Sequence, residues 1–455
     1  MEISKLLEKQ RNFFNSNATK NLEFRLENLN KLKHLLEVHE GEILHALYED
    51  LNKSNFEAYV TEMGIVKEEL SLTIKNLPKW TKRRRVHTPI TQFPSQSFIY
   101  SEPYGISLII SPWNYPLQLA MIPLIGSLAA GNCNILKLSQ KSKNTTEILT
   151  KILDENFDER LIRVVNSEEV SNEELLKENY DYIFFTGSAK VGKVVMEAAA
   201  KHLTPITLEL GGKSPCIVDE TANITLAGKT IAWGKFLNAG QTCVAPDYIL
   251  VDKKIKGRLI EEIRRHLFLF YGTNILENPE YPKIISPEHF KRLIDLLNEG
   301  KKEFGGNSNL DNQKIEPTIL SEINWDSKIM EEEIFGPILP IIEYDNLNSM
   351  IEEIKLRPKS LALYLFSEDK INKEKIKNEI SYGSGCINDV LMQLANPNLP
   401  FGGVGNSGMG KYHGKFSFDT FSNKKSIVEK PNFLDIPLRY PPYKDKLGLL
   451  KKIMK

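Results

Sequence analysis

From residue 105 onward the chain alternates short apolar runs with longer stretches of helical periodicity. No other feature restricts the fold as much. Residues 105–110 read as a strand, 117–130 as a helix, 134–138 as a strand, 182–185 as a strand and 191–201 as a helix. Strands separated by helices pair in parallel, because each crossover returns the chain to the same end of the sheet. A second α/β section runs from about 207 to 395. The first 80 residues carry helical spacing, as in Leu29, Leu32, Leu35 and Leu36. Residues 88–100 are Pro-containing and extended, as a hairpin or a strand leaving the main body would be, and 436–443 are again Pro-rich. A chain of 455 residues exceeds what one core can hold, so two or three domains are expected.

Charge and cysteine usage exclude several functions. Lys+Arg and Asp+Glu both total 59, so the basic excess of a nucleic-acid binder is missing. The densest basic run, Lys82-Arg83-Arg84-Arg85, reads as a solvated helix end. Four cysteines without Cys-x-x-Cys spacing predict reduced thiols in a cytoplasmic setting, and neither they nor the eight dispersed histidines predict a metal site. Residues 1–10 carry charges throughout and no apolar stretch, so no signal peptide is expected in them. The apolar region 106–138 is interrupted by Pro112, Pro116, Pro123 and Gly131. A membrane span needs about 20 uninterrupted apolar residues, so this region reads as buried interior. The basic amphipathic piece 447–455 reads as a solvated helix.

Two segments carry chemistry. Glu209 opens Glu209-Leu210-Gly211-Gly212-Lys213, and Cys243 closes Gly240-Gln241-Thr242-Cys243, 34 positions later. A thiol attacks carbonyl carbon, and a carboxylate can activate the water that frees the product. The flanking glycines let the backbone approach a ligand closely. A third segment, Phe184-Phe185-Thr186-Gly187-Ser188-Ala189-Lys190-Val191-Gly192-Lys193, is strand, glycine turn and helix, and its helix N-terminus suits a phosphate. It imitates a P-loop, but Val194 stands where Mg²⁺ coordination needs a hydroxyl. It also imitates the dinucleotide fingerprint, with Glu209 at the distance of a ribose-binding acid, but Ala189 occupies the middle glycine position.

Together with Pro112-Trp113-Asn114-Tyr115-Pro116, Leu136-Lys137-Leu138-Ser139, Glu333-Ile334-Phe335-Gly336-Pro337 and Pro400-Phe401-Gly402-Gly403, these segments resemble the aldehyde dehydrogenase superfamily in order and spacing. The early start, Trp113-Asn114-Tyr115-Pro116 and the Arg439-Tyr440-Pro441-Pro442-Tyr443 tail resemble its class 3 branch, which handles fatty and aromatic aldehydes. The resemblance implies a Rossmann-like NAD(P)-binding domain (1–87 and 102–208) and an α/β catalytic domain (209–395). It also implies a bridging or oligomerisation arm (88–101 and 418–455), a return segment to the active site (396–417) and a homodimer.

The same resemblance implies oxidation of aldehydes to carboxylic acids, with Cys243 as nucleophile, Glu209 as the base for thioester hydrolysis and Asn114 in the oxyanion site. Trp113, Lys137, Gly187, Ser188, Gly192, Glu333 and Phe335 would bind NAD or NADP, and Tyr115 and Asn388 would border the substrate. No metal is implied. Gln140 stands where the family often has a Glu that would repel a 2′-phosphate, so NADP⁺ is expected to be accepted beside NAD⁺. The alternative that keeps the thiol and omits the redox step is a cysteine esterase or thioesterase.

Overall fold

The computed structural model describes residues 2–166 and 169–454. The expected alternation builds two mainly parallel sheets. The first has six strands in the spatial order Gly408–Met409, Ile206–Leu210, Tyr182–Gly187, Ile106–Ile110, Cys133–Lys137 and Ile162–Val164. Four of its five neighbouring pairs are parallel, and Gly408–Met409 closes one edge antiparallel, with Gly408 opposite Glu209. The chain lays down three strands in one direction, then returns to lay Tyr182–Gly187 on the other side of Ile106–Ile110. That reversal is the switch point of a doubly wound fold, where ligands bind beyond the carboxyl ends of the strands.

Alternation along each strand separates two cores. Leu108, Ile135 and Ile183 face the helices Ile3–Asn15 and Ala189–Ala200, while Ile109, Leu136 and Phe184 face the opposite side. There lies the helix Gln118–Ala130, buried along its entire length. A helix apolar on every face has to be interior, which agrees with the reading of 106–138 as core. The helix after the glycine turn begins at Ala189, two residues earlier than its periodicity indicates, because Ser188 caps it: the Val191 N–H donates to Ser188 Oγ.

The second sheet has seven strands: Lys301–Phe304, Thr318–Ser321, Ile338–Tyr344, Tyr248–Asp252, Pro215–Val218, Ala362–Phe366 and Ser384–Ile387. All pairs are parallel except the antiparallel edge at Lys301–Phe304. The extended stretch near residue 100 is a strand, Gln96–Pro103, held between Arg84–Val86 and Ser422–Glu429 in an antiparallel three-stranded sheet. The basic run at 82–85 therefore enters a strand instead of ending a helix. Among the described residues no helix is long and apolar enough to cross a membrane.

Candidate active site

The strand Ile206–Leu210 carries Glu209 inward at its carboxyl end. Glu209 is 3% exposed, and among the described residues neither carboxylate oxygen has a hydrogen-bond partner. Burial raises its pKa well above the ordinary carboxylate value, with Lys411 pulling in the opposite direction. A buried carboxyl without a partner is costly, so its presence needs an explanation.

The thiol arrives from the other sheet. After the helix Ile224–Phe236 the chain makes a tight turn in which Asn238 and Ala239 take left-handed backbone angles (φ 51° and 50°). Gly240 follows at φ 73°, and a Cβ there would meet the Gly336 carbonyl oxygen at 2.2 Å. The turn is thus pressed against the Phe335-Gly336-Pro337 segment, and Cys243 leaves it half-buried. Burial, then the nearby Glu333 and Glu209, push the Cys243 thiol up to about 12, against the pull of the Cys243 and Val244 backbone N–H groups.

Asn114, on the loop after the strand Ile106–Ile110, is buried and its side-chain amide donates to the Gln241 carbonyl (3.0 Å). The Gly212 backbone N–H favours the charged form of Glu333. Its carboxyl is raised to about 8, first by burial and then by Asp247, with Lys213 and Lys235 opposing. Trp113 stands edge-on to Phe335 (5.5 Å between ring centres) and to His289 (5.1 Å).

These groups line one cavity of about 230 Å³ between the sheets. Trp113, Asn114, Gly187, Ser188, Glu209, Cys243, Glu333 and Phe335 all border it. Other residues named from sequence lie elsewhere. Tyr115 is beneath the thiol loop, its hydroxyl 2.6 Å from Thr242 Oγ1. Gly192 faces the sheet, where a Cβ would meet Leu210 at 2.6 Å. Lys137 is buried, with Nζ 3.4 Å from the Leu138 carbonyl. Asn388 bonds the Ser367 N–H (2.9 Å) and Glu368 (3.1 Å), away from the cavity lining.

Sequence reasoning passed over His289 and Arg292, which border the cavity, and Lys235, buried with its pKa lowered to about 8. Lys213 was quoted only as part of a motif. It ties Asp247 (2.6 Å) to the carbonyls of Ile329 and Glu332, beside the Glu333 segment.

The cavity border has features that suit the pyrophosphate and ring of a nicotinamide dinucleotide. The helix Ala189–Ala200 directs its N-terminus toward the Gly187-Ser188 border, as a pyrophosphate requires. Gly211 leaves room where a Cβ would stand 1.9 Å from Glu333 Oε2, so a flat ligand can lie close to this backbone. The walls of Trp113 and Phe335 suit an aromatic ring. Among the described residues no group of three or more His, Cys, Asp or Glu is arranged to hold a metal ion.

A thiol and a buried carboxylate thus meet beside a cleft with a helix N-terminus at its border, an arrangement that suits a nicotinamide-dependent dehydrogenase. The sequence pattern of the aldehyde dehydrogenase family matches residues 1–427. The 4,4'-diaponeurosporen-aldehyde dehydrogenase of Staphylococcus aureus (strain NCTC 8325 / PS 47) is 50% identical over 445 residues, 97% of each chain. A Canis lupus familiaris relative named "aldehyde dehydrogenase, dimeric NADP-preferring" is 44% identical over 97% of this chain and 98% of its own. Relatives at 43% and 45% identity carry the name aldehyde dehydrogenase family 3. The solved substrate-bound state of Staphylococcus aureus AldH superposes with a TM-score of 0.97 at 49% identity, covering 100% of this chain and 99% of its own. The chain belongs to the aldehyde dehydrogenase family, and its relatives include family 3 members.

Proposed function

We propose that this protein oxidises medium- or long-chain aliphatic or aromatic aldehydes to carboxylic acids, with NAD⁺ or NADP⁺ as cofactor. The observation that carries this reading is the convergence of Cys243, the unpartnered Glu209 and the Asn114 amide on one cavity with a helix N-terminus at its border.

Cys243 gives up its proton to solvent, and the thiolate Sγ attacks the aldehyde carbon as the carbonyl π electrons move to oxygen, giving a tetrahedral thiohemiacetal oxyanion. An Asn side chain has two N–H donors. One is engaged by Gln241, leaving the other, with the Cys243 backbone N–H, to hold the developing oxyanion. A bound nicotinamide supplies the two-electron acceptor that converts this adduct to a thioester. Glu209 then takes a proton from water as the water oxygen attacks the thioester carbon, and the acid leaves with Cys243 restored as the thiol. Gly187, Ser188, Glu333, Phe335 and Trp113 would hold the dinucleotide, with Lys137 toward the adenosine ribose. The absence of an acidic side chain at Gln140 supports use of NADP⁺ beside NAD⁺.

We assign the domains as the resemblance implies: 1–87 with 102–208 for the cofactor, 209–395 for catalysis, 396–417 as the return segment, and 88–101 with 418–455 as an arm between subunits. The name of the dimeric Canis relative supports a homodimer, and four free cysteines suit a cytoplasmic setting.

The test is cofactor reduction with hexanal, decanal, benzaldehyde and the 4,4'-diaponeurosporen-aldehyde that names the Staphylococcus relative. Cys243→Ala is expected to abolish reduction and ester cleavage while retaining the native melting curve. Cleavage of a p-nitrophenyl ester without reduction of either cofactor by any aldehyde would replace this reading with a cysteine esterase.

A further inference from the structure

The oxidation scheme does not use an ion pair that lies fully buried beneath both loops of the site. Lys53 and Glu62 are each 0% exposed and 2.7 Å apart. A buried pair seldom gains net stability over apolar residues of the same volume, because desolvation offsets the attraction. Their remaining bonds run toward the site.

Lys53 Nζ donates to the Asn114 carbonyl (2.9 Å) and stands 3.9 Å from the centre of the Tyr115 ring. Glu62 Oε2 accepts the backbone N–H groups of Leu117 (2.9 Å) and Gln118 (3.3 Å). Glu62 lies in a π-helical turn, Tyr59–Met63, an irregularity often found where a helix serves a site. The segment 114–118 is therefore gripped at one carbonyl and two amides.

The thiol loop hangs from the same point. Asn238 Nδ2 donates to the Asn114 carbonyl (2.9 Å) and to the Gln241 carbonyl (3.2 Å). The Asn114 side chain meets that Gln241 carbonyl from the other side, and the Tyr115 hydroxyl meets Thr242. One peptide carbonyl thus joins the loop that bears the amide to the loop that bears the nucleophile. Without the ammonium, only Asn238 would remain to hold it among these bonds.

We propose that Lys53 and Glu62 are a positioning pair that sets the Asn114 amide against Cys243 for oxyanion binding. The proposal rests on the role given to Asn114 above. The double variant Lys53→Met/Glu62→Gln removes both charges while keeping an acceptor for the Leu117 and Gln118 amides. A displacement of about 1 Å at a reacting group costs about 10²-fold, so kcat is expected to fall about 10- to 100-fold with the Kd for NAD⁺ unchanged. Affinity for an aryl trifluoromethyl ketone, which adds to the thiol and leaves an oxyanion, is expected to fall in parallel.

In an Asn114→Ala background the same pair of changes is expected to cost less than about threefold, because coupled residues are not additive. Equal cost in both backgrounds, or native ketone affinity, would overturn the proposal. A native kcat in Asn114→Ala itself would overturn the oxyanion reading and this proposal with it. If the double variant melts early, Glu62→Gln alone is measured instead. It keeps Lys53 and should show the same non-additivity at smaller size, and additive losses there would equally overturn the pair.

Discussion

Replacing Gly211 by alanine tests how tightly the glycine platform holds Glu333. Gly211 does not use a left-handed backbone, so alanine is tolerated there conformationally. Its Cβ, however, would stand 1.9 Å from Glu333 Oε2 and 2.7 Å from the carboxyl carbon. Non-bonded carbon contacts settle at about 3.5–4.0 Å, so the carboxyl has to retreat by about 1 Å or more. That displacement carries the carboxyl away from the Gly212 N–H and, on the proposed role of Glu333 in holding the dinucleotide, moves an acceptor offered to the cofactor. At pH 9, above the Glu333 value of about 8, a hydrogen bond to this charged group contributes about 1.5–3 kcal/mol, so NAD⁺ is expected to bind about 10- to 100-fold more weakly there. Trp113 borders the cavity and reports binding by fluorescence titration, while ester cleavage at Cys243 should persist. In a Glu333→Ala background the clash is gone and Gly211→Ala should add little. Native affinity in Gly211→Ala, or an equal loss in both backgrounds, would refute this account of the platform.

Glu209→Gln is expected to give a single burst of reduced cofactor and then stall, as stopped-flow absorbance would record. Burial holds the Glu209 pKa well above the carboxylate range, so its base form grows as pH rises. Native kcat should climb with pH and the climb should vanish in the variant. Glu69 receives the Gly414 N–H on both oxygens (2.8 and 3.0 Å), and burial raises it to about 7. A carboxyl raised on folding contributes stability below its unfolded pKa of about 4.3, and that contribution is lost as pH rises through about 7. Glu69→Gln should therefore stabilise the fold more at pH 8 than at pH 5, by up to on the order of 3 kcal/mol in denaturant titrations. An equal effect at both pH values would contradict this. Because Glu333 ionises near 8 and opposes the Cys243 thiolate, Glu333→Gln should speed alkylation by iodoacetamide at pH 9 and leave it unchanged at pH 6.

That Cys243, Glu209, Asn114 and Glu333 come together on one cavity was legible because each lies in a short string whose neighbours are also constrained. Gly240 has to pass the Gly336 carbonyl, and Gly211 has to pass Glu333, so glycines mark the chemistry. The parallel order was legible from alternation, but the closing pair Gly408–Met409 was not, since two residues carry no pattern of their own. Gly192 misled for the opposite reason. Its spacing imitates a phosphate loop, yet its missing side chain serves the contact with Leu210. Lys53, Glu62 and Lys235 read as ordinary charges in helical sequence. Their roles arise where distant segments meet, and periodicity does not record that.

The acids of the cavity form one system. Burial raises Cys243, Glu209 and Glu333 alike, and the charges of Glu333 and Glu209 make the Cys243 thiolate harder still to form. The cations are not shared equally. Lys411 faces Glu209, and Lys213 and Lys235 face Glu333, whereas the thiolate is favoured chiefly by the backbone N–H groups of Cys243 and Val244. The Cys243 N–H is also the donor assigned to the oxyanion. As the sulfur bonds to carbon and loses its charge, the same donor is available to the substrate oxygen that gains it, so negative charge can pass from sulfur to oxygen without moving the loop. In the proposed mechanism a resting thiol pushed up to about 12 is quiet toward other electrophiles, and the Asn114 amide, which is not among the groups that favour the thiolate, adds its stabilisation only once a carbonyl oxygen arrives.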